Sequence, residues 1–229
     1  MSVETNVLRR SVNSLRTFGV RHTLENAVCL VEEYWFEYRF RLQSLGWQET
    51  DTLDLSASDK EHAHGYKPAR LTHFRHIINR INLPGECVFV DFGSGKGRLL
   101  IAAIRLGFTK VVGVELSHAL CTIAHENIRR ALPASTQQQA IRVVQCNAVD
   151  YVIQPNEDVF YFYNPFDGVV LRQVLANIAQ SLQSHPRPAW LIYNNPRYAA
   201  VIEQHGLFTE QFRYRYGGSE AVVYACLVD

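Results

Sequence analysis

Val88-Phe89-Val90-Asp91-Phe92-Gly93-Ser94-Gly95-Lys96-Gly97-Arg98 is the stretch that decides how this chain folds. A short apolar run enters a glycine-rich bend, and Leu99 to Leu106 beyond it reads as helix. Strand, glycine bend and helix in that order make a ligand-binding turn at the carboxyl edge of a parallel sheet. Glycine lets a ligand approach the backbone closely, and the helix start presents unpaired N–H groups. A dinucleotide site needs G-x-G-x-x-G. The third glycine of that spacing falls at position 98, which is Arg98. The glycines here are Gly93, Gly95 and Gly97, with Asp91 two residues ahead of the first.

Outward from this bend the apolar segments alternate. Lys110–Glu115 reads as a strand, Ser117–Ala131 as a helix and Ile141–Cys146 as a strand. Val159–Tyr163 is a fourth strand, followed by a helix with Leu171, Leu175, Ile178 and Leu182 on one face. Ala189–Tyr193 is a fifth, and a short helix with Pro196 in its first turn should follow. The tail changes character: Leu207–Tyr214 and Glu220–Leu227 flank Gly217-Gly218, a hairpin signal. The pattern predicts an α/β fold, a Rossmann-like doubly wound, mostly parallel seven-stranded sheet with an antiparallel C-terminal hairpin.

Upstream, Leu71, Phe74, Ile78 and Ile81 mark an amphipathic helix stopped by Pro84-Gly85. Residues 1–60 read as an N-terminal helical extension, and residues 61–229 as the ligand-binding domain. Within the extension, Leu24, Val28, Val31, Trp35, Tyr38 and Leu42 form a helical stripe over His22–Leu45, read as core or a subunit contact. Gly46 stops it, and polar Gln48–Glu61 reads as a loop or linker.

The bulk properties exclude several classes. With 229 residues, 47% hydrophobic, the chain can bury one sizeable core. The 23 basic and 22 acidic residues leave a formal charge of +1, which gives no reason to expect a nucleic-acid or membrane-surface binder. No apolar run approaches the ~20 residues of a membrane helix, and Met1–Arg10 shows no leader-like apolar run. The five cysteines, Cys29, Cys87, Cys121, Cys146 and Cys226, include no C-x-x-C pair and read as reduced, buried thiols. A cytoplasmic protein is expected. His62, His64, His73 and His76 match no metal-site spacing, so no metal is expected. Lys67, Arg70, Arg75 and Arg80 lie in an acid-free stretch that reads as a solvated helix face or as a basic rim.

The D-x-G-x-G-x-G spacing from Asp91 to Gly97 resembles motif I of class I S-adenosylmethionine-dependent methyltransferases. Gly113-Val114-Glu115-Leu116-Ser117 and Tyr163-Asn164-Pro165-Phe166 extend the resemblance over roughly residues 65 to 205. The set is similar to uncharacterised bacterial members distantly similar to seven-stranded protein-lysine methyltransferases. The resemblance implies S-adenosylmethionine as cofactor, bound by Asp91, Gly93, Ser94, Gly95 and Gly97. Asp91 would organise the cationic groups. Glu115 would accept from both ribose hydroxyls, and Leu116 would pack on the adenine. Asn147, beside Ala148, would accept from the adenine amino group through an uncharged oxygen, with Asp150 as the alternative. Tyr66, in Tyr66-Lys67-Pro68-Ala69, would close over the methionine end; related enzymes carry threonine where Ala69 stands. Asn164-Pro165-Phe166 is similar to the (Asp/Asn)-Pro-Pro-(Tyr/Phe) motif of amino-methylating enzymes, with one proline instead of two. Asn164 would orient an acceptor nitrogen beside the cofactor and Phe166 would wall the pocket. Asn194-Asn195-Pro196 reads as a turn that could also line the acceptor pocket.

The acceptor itself is not specified, with a protein lysine or other amine ahead of nucleic acid. The alternatives are small-molecule O-methylation, an NAD(P)-dependent oxidoreductase and a non-catalytic scaffold. No membrane partner is expected, and the oligomeric state is open.

Overall fold

A computed structural model describes residues 3–227, with side chains from residue 17 onward except at 18 and 138. The expectation about Met1–Arg10 therefore lies outside the described residues. Five parallel strands form the sheet's body: β1 (Val88–Phe92), β2 (Lys110–Glu115), β3 (Ile141–Gln145), β4 (Glu157–Phe162) and β5 (Ala189–Asn194). β6 (Thr209–Tyr216) and β7 (Ser219–Cys226) make the antiparallel hairpin, and β7 inserts beside β5. The order is β3-β2-β1-β4-β5-β7-β6. Strand order reverses between β1 and β4, so the crevice beyond their carboxyl ends is where an α/β sheet accepts a ligand.

The central strands are apolar on both faces because helices cover both. Phe89, Val111, Tyr161, Ile192 and Val223 meet α3 (Leu71–Arg80) and α4 (Arg98–Arg105). Val90, Phe92, Phe160, Phe162 and Tyr224 meet α7 (Gly168–Ser184) and α8 (Ala199–His205). At the edge, β6 buries Phe212, Tyr214 and Tyr216 only partly and turns Arg213 and Arg215 outward, which discourages further strand pairing. Gly217 (φ 55°) and Gly218 (φ 75°) both adopt the left-handed conformation that a two-residue hairpin turn requires.

Several expectations change. α1 (Val3–Phe40) is broken at Gly19, where φ is 80° and ψ 172°. It ends at Phe40, before Gly46. The stripe of Leu24, Val28, Val31, Trp35 and Tyr38 is exposed, which removes the core reading; of that set only Leu42 is buried. The buried side of α1 is Cys29, Glu33, Phe36 and Phe40. The Gln48–Glu61 stretch is not all loop: α2 (Ala57–His62) starts at Ser56, whose hydroxyl accepts from Asp59 N–H. α6 (Ala134–Ala140) follows α5 (His118–Ala131) and was not foreseen, because its polar Ala-Ser-Thr-Gln-Gln-Gln-Ala sequence carries no apolar period. The short helix expected after Pro196 is α8, which begins at Ala199, so Pro196 itself lies just ahead of its first turn. Among the five free cysteines, Cys29, Cys87 and Cys121 are buried, whereas Cys146 and Cys226 are half-buried.

The extension is wired into the sheet domain by buried polar groups. The Asn127 amide, fully buried on α5, accepts from Gln43 N–H (2.8 Å) and donates to the Lys96 carbonyl (2.9 Å). Arg98, which stands where a dinucleotide loop has its third glycine, is buried. Its guanidinium reaches the Glu33 carbonyl on α1 (3.4 Å) and lies near the Phe36 ring. The Glu37 carboxylate gathers the backbone and hydroxyl of Ser44 together with Leu45 N–H. Asn127→Ala leaves the buried Lys96 carbonyl and the part-buried Gln43 N–H unmatched. It should lower stability by about 1–3 kcal/mol, read as a lower urea midpoint at unchanged slope.

Candidate cofactor and acceptor site

The glycine bend is fastened to the end of β2. Gly93 and Ser94 N–H both donate to the Val114 carbonyl, at 2.8 and 3.1 Å. Gly95 N–H donates to Glu115 Oε2 (2.8 Å). The other carboxylate oxygen of Glu115 accepts from Leu116 and Ser117 N–H, both at 2.9 Å. Gly93 and Gly95 have φ of 76° and 54°, and a Cβ there would stand 2.5 Å from Pro165 Cβ and 2.4 Å from the Tyr66 ring. Only glycine lets those two side chains close on the bend.

Asp91 and Glu115 meet at the same sheet edge, on neighbouring strands. Asp91 is 3% exposed, and no donor among the described residues bonds its carboxylate. Burial, together with the Glu115 charge, pushes its pKa well above the usual carboxylate range. Burial also raises Glu115, against the pull of the three N–H groups it accepts from. Two desolvated carboxylates side by side, one lacking any donor, make a place for a ligand that brings positive charge and hydrogen-bond donors.

A cavity opens at this edge. Of the residues singled out from sequence, Tyr66, Gly93, Glu115, Leu116, Asn147, Ala148, Pro165 and Phe166 line it. Asp91, Ser94, Gly95, Gly97 and Asn164 do not. Ser94 Oγ is buried without a partner, Gly95 lies under Tyr66, and Gly97 packs on Ala124. The Asn147 oxygen accepts from Val149 N–H (3.2 Å), and its NH₂ donates to Asp59 Oδ1 (3.2 Å). The acidic group at that end of the cavity is thus Asp59, whereas Asp150 is exposed and does not line it.

A strap from His62 to Tyr66 crosses from the Asn-Pro-Phe loop to the glycine bend. Ala63 pairs with Phe166 in an isolated antiparallel bridge. His64 N–H donates to the Pro165 carbonyl and Asp167 N–H to the His62 carbonyl, each at 2.9 Å. The Tyr66 hydroxyl donates to the Ser44 carbonyl (2.6 Å), and Lys96 Nζ lies 4.7 Å from the ring centroid. Asn164, 5% exposed, sits at φ 45°. Its side-chain oxygen accepts from the Tyr193 hydroxyl and its carbonyl from His64 Nδ1, each at 2.9 Å. That carbonyl contact puts the His64 proton on Nδ1. Both Asn164 acceptors are therefore already engaged, with one lone pair left on each.

Sequence reasoning missed Leu53, Leu55 and Asp59, which line the cavity together with His62 and His64. The Ser56-x-x-Asp59 helix start was the available signal. The histidines go elsewhere than to a common ligand: His62 to Asp167, His64 to Asn164, and His73 and His76 to Tyr214. Burial lowers the His73 pKa to about 4. Among the described residues no three His, Cys, Asp or Glu side chains group to hold a metal. The basic rim reduces to Lys67, which lines the cavity; Arg75 pairs with Glu32 and Arg80 lies over Phe212. Asn194 is buried, donates to the Tyr161 hydroxyl, and does not line the cavity.

The family model of ribosomal protein L11 methyltransferase (PrmA) matches residues 72–190. A ribosomal protein L11 methyltransferase of Aliivibrio salmonicida is 43% identical over 53 residues, 23% of this chain and 18% of that protein. The Alteromonas mediterranea protein of the same description is 29% identical over 116 residues, 46% and 39% of the two chains. The chain thus spans well under half the length of these curated relatives. Among solved structures, a ribosomal protein L11 methylase from Lactobacillus delbrueckii subsp. bulgaricus superposes with a TM-score of 0.53 at 17% identity, covering 71% of this chain and 81% of that one. The glycopeptide N-methyltransferase MtfA gives 0.55 at 13% identity, covering 69% and 90%. At these identities the superpositions carry the fold. No helix among the described residues is long and apolar enough to cross a membrane.

The raised Asp91 pKa has a direct consequence for stability. An acid whose folded pKa exceeds its unfolded value costs stability as pH rises from the unfolded pKa, 3.8, toward the folded one, and the cost stays constant above that. Asp91→Asn should therefore raise the melting temperature of the ligand-free protein at neutral pH, by about 2–4 °C for each kcal/mol regained. The gain should shrink toward pH 4. Differential scanning calorimetry across that window checks both.

Proposed function

The chain belongs to the PrmA family of ribosomal protein L11 methyltransferases, and from that premise we propose that it transfers a methyl group from S-adenosylmethionine to an amine, most simply the side chain of a protein lysine. The observation that carries the cofactor reading is the Asp91 carboxylate, buried and without a donor beside Glu115. S-adenosylmethionine brings both an ammonium group and a sulfonium to such a place, and its ribose brings two hydroxyl donors. A dinucleotide would bring a pyrophosphate, which two buried carboxylates repel, and position 98 is committed to holding α1.

Glu115 would hold the ribose with the acceptor capacity its three backbone bonds leave free. Leu116 and Ala148 offer apolar surface for the base, and Asp59 offers the charged acceptor beside it. Tyr66 closes the bend from above. When bound, S-adenosylmethionine supplies a methyl group that already carries its leaving group. The chain's own residues then have to position the acceptor and exclude water. Pro165 and Phe166 wall the acceptor side, with Tyr163 and His64 beside them. The free lone pairs on the Asn164 amide and carbonyl, one residue before that wall in the chain, would orient an incoming N–H. The half-buried Tyr163 ring also suits an alkylammonium stem.

Calorimetry tests the cofactor half. Glu115→Gln keeps a side chain to cap the bend but removes the charge, and it should weaken S-adenosylmethionine binding tenfold or more, about 1.4 kcal/mol. Unchanged affinity, or tighter binding of NADH, rejects this reading. Transfer of labelled methyl into fractionated lysate and into purified ribosomal protein L11 tests the acceptor half. Label in a protein band is expected. Label only in small molecules overturns the protein acceptor, and label in no fraction favours a non-catalytic scaffold.

A further inference from the structure

We propose that the exposed face of α1 between Val20 and Tyr38 is a self-association surface, covered by the same helix of a second copy lying antiparallel across a two-fold axis. Leu24, Val28, Val31, Trp35 and Tyr38 recur at steps of four, three, four and three residues, the repeat of a coiled-coil seam. None of them is covered: Val31 is 70% exposed, Trp35 57% and Tyr38 86%. Val20, Leu30 and Tyr34 widen the same apolar face. Arg21 is the only charged residue among those exposed between Val20 and Tyr38.

The area is of the right size. Each buried aromatic side chain removes about 150–250 Å² from water. Three rings exposed by more than half, with five aliphatic side chains around them, present an area comparable with the ~800 Å² that each partner brings to a standard interface. A contiguous apolar patch of this extent marks an interaction site on a soluble surface.

The repeat and the charges choose the occupant. A four-three repeat fits knobs into holes on another helix, and a second α1 supplies that helix with the matching seam. Arg39 and Arg41 stand exposed at one end of the stripe, and Glu25 borders the other. Antiparallel packing carries Arg39 toward the partner's Glu25, twice by symmetry, and closes as a dimer with no unpaired seam. Parallel packing sets Arg39 against Tyr34 and leaves Glu25 beside Val20. A membrane surface suits the face less well, because an interfacial helix flanks its apolar side with cations. Here the side of the helix bordering the seam carries Glu25 and Glu32.

The opposite side of the same helix reaches the site. Glu37 fixes Ser44, and Ser44 receives the Tyr66 hydroxyl that lies over the glycine bend. A second copy on the outer face would steady that line of contacts.

Sedimentation equilibrium of the full chain at micromolar concentration should report twice the 26.2 kDa of one chain. Trp35→Arg combined with Tyr38→Glu should raise the dimer dissociation constant a hundredfold or more. Arg39→Glu should raise it roughly tenfold, the scale of a rim charge pair. All these positions are exposed, and an unchanged far-UV spectrum checks the fold. A monomeric wild type, a dimer unaffected by the double substitution, an assembly larger than two, or binding of the monomer to anionic phosphatidylserine vesicles each overturns the proposal.

Discussion

The Glu115 carboxylate at the end of β2 is the contact on which the site depends. One oxygen takes the N–H of Gly95 in the glycine bend, and the other takes Leu116 and Ser117 at the start of the next loop. Two loops that any α/β sheet would leave side by side are thereby locked to one charged group. Asp91, one strand away, has no such company. The contrast explains how one edge can be both rigid and receptive: the first carboxylate organises the backbone, and the second keeps an unmet demand for positive charge.

Rigidity reaches this edge from outside the sheet as well. Asp54 accepts from the Ser117 hydroxyl and from Ala119 N–H, so the segment after α1 caps α5. Asn127 and Arg98 tie the same upstream region to the bend's helix. Leu53, Leu55 and Asp59 line the cavity from that region. The helical extension is therefore part of the cavity's architecture, and the ~60-residue boundary that composition suggests cuts through its wall.

The parallel strands and the glycine bend were legible because their signals are local. Val88–Phe92 and Lys110–Glu115 are unbroken apolar runs, and Gly93, Gly95 and Gly97 occupy conformations that only glycine tolerates well. The α1 stripe was visible too, but periodicity reports that a face is apolar and not what covers it. α1 has a second face, with Cys29, Phe36 and Phe40 beside Glu33 and Glu37, and that is the one turned inward. Its carboxylates hid it from a hydrophobicity reading. They are accommodated by Arg98 and Ser44, partners distant in sequence. The same limit applies to Asn147, whose oxygen caps its own turn and whose amide reaches Asp59, far upstream in the chain. It applies to His64 as well, whose contact with Asn164 spans a hundred positions. Side-chain partners of that kind are set by tertiary geometry and leave no pattern along the chain.

The strap from His62 to Tyr66 also has a bearing on how the protein is made. It precedes every strand of the sheet, yet its hydrogen-bonding edge is Pro165 and Asp167, just past β4. On a ribosome the roof of the cavity emerges well before the floor that it must pair with. Until β4 has joined β1, only the Tyr66 end of that roof has partners, at Ser44 and Gln48, and the cavity has no closed form. Ligand affinity in a nascent or circularly permuted chain would thus appear as a single late event, after the sheet's middle is complete, instead of accruing strand by strand.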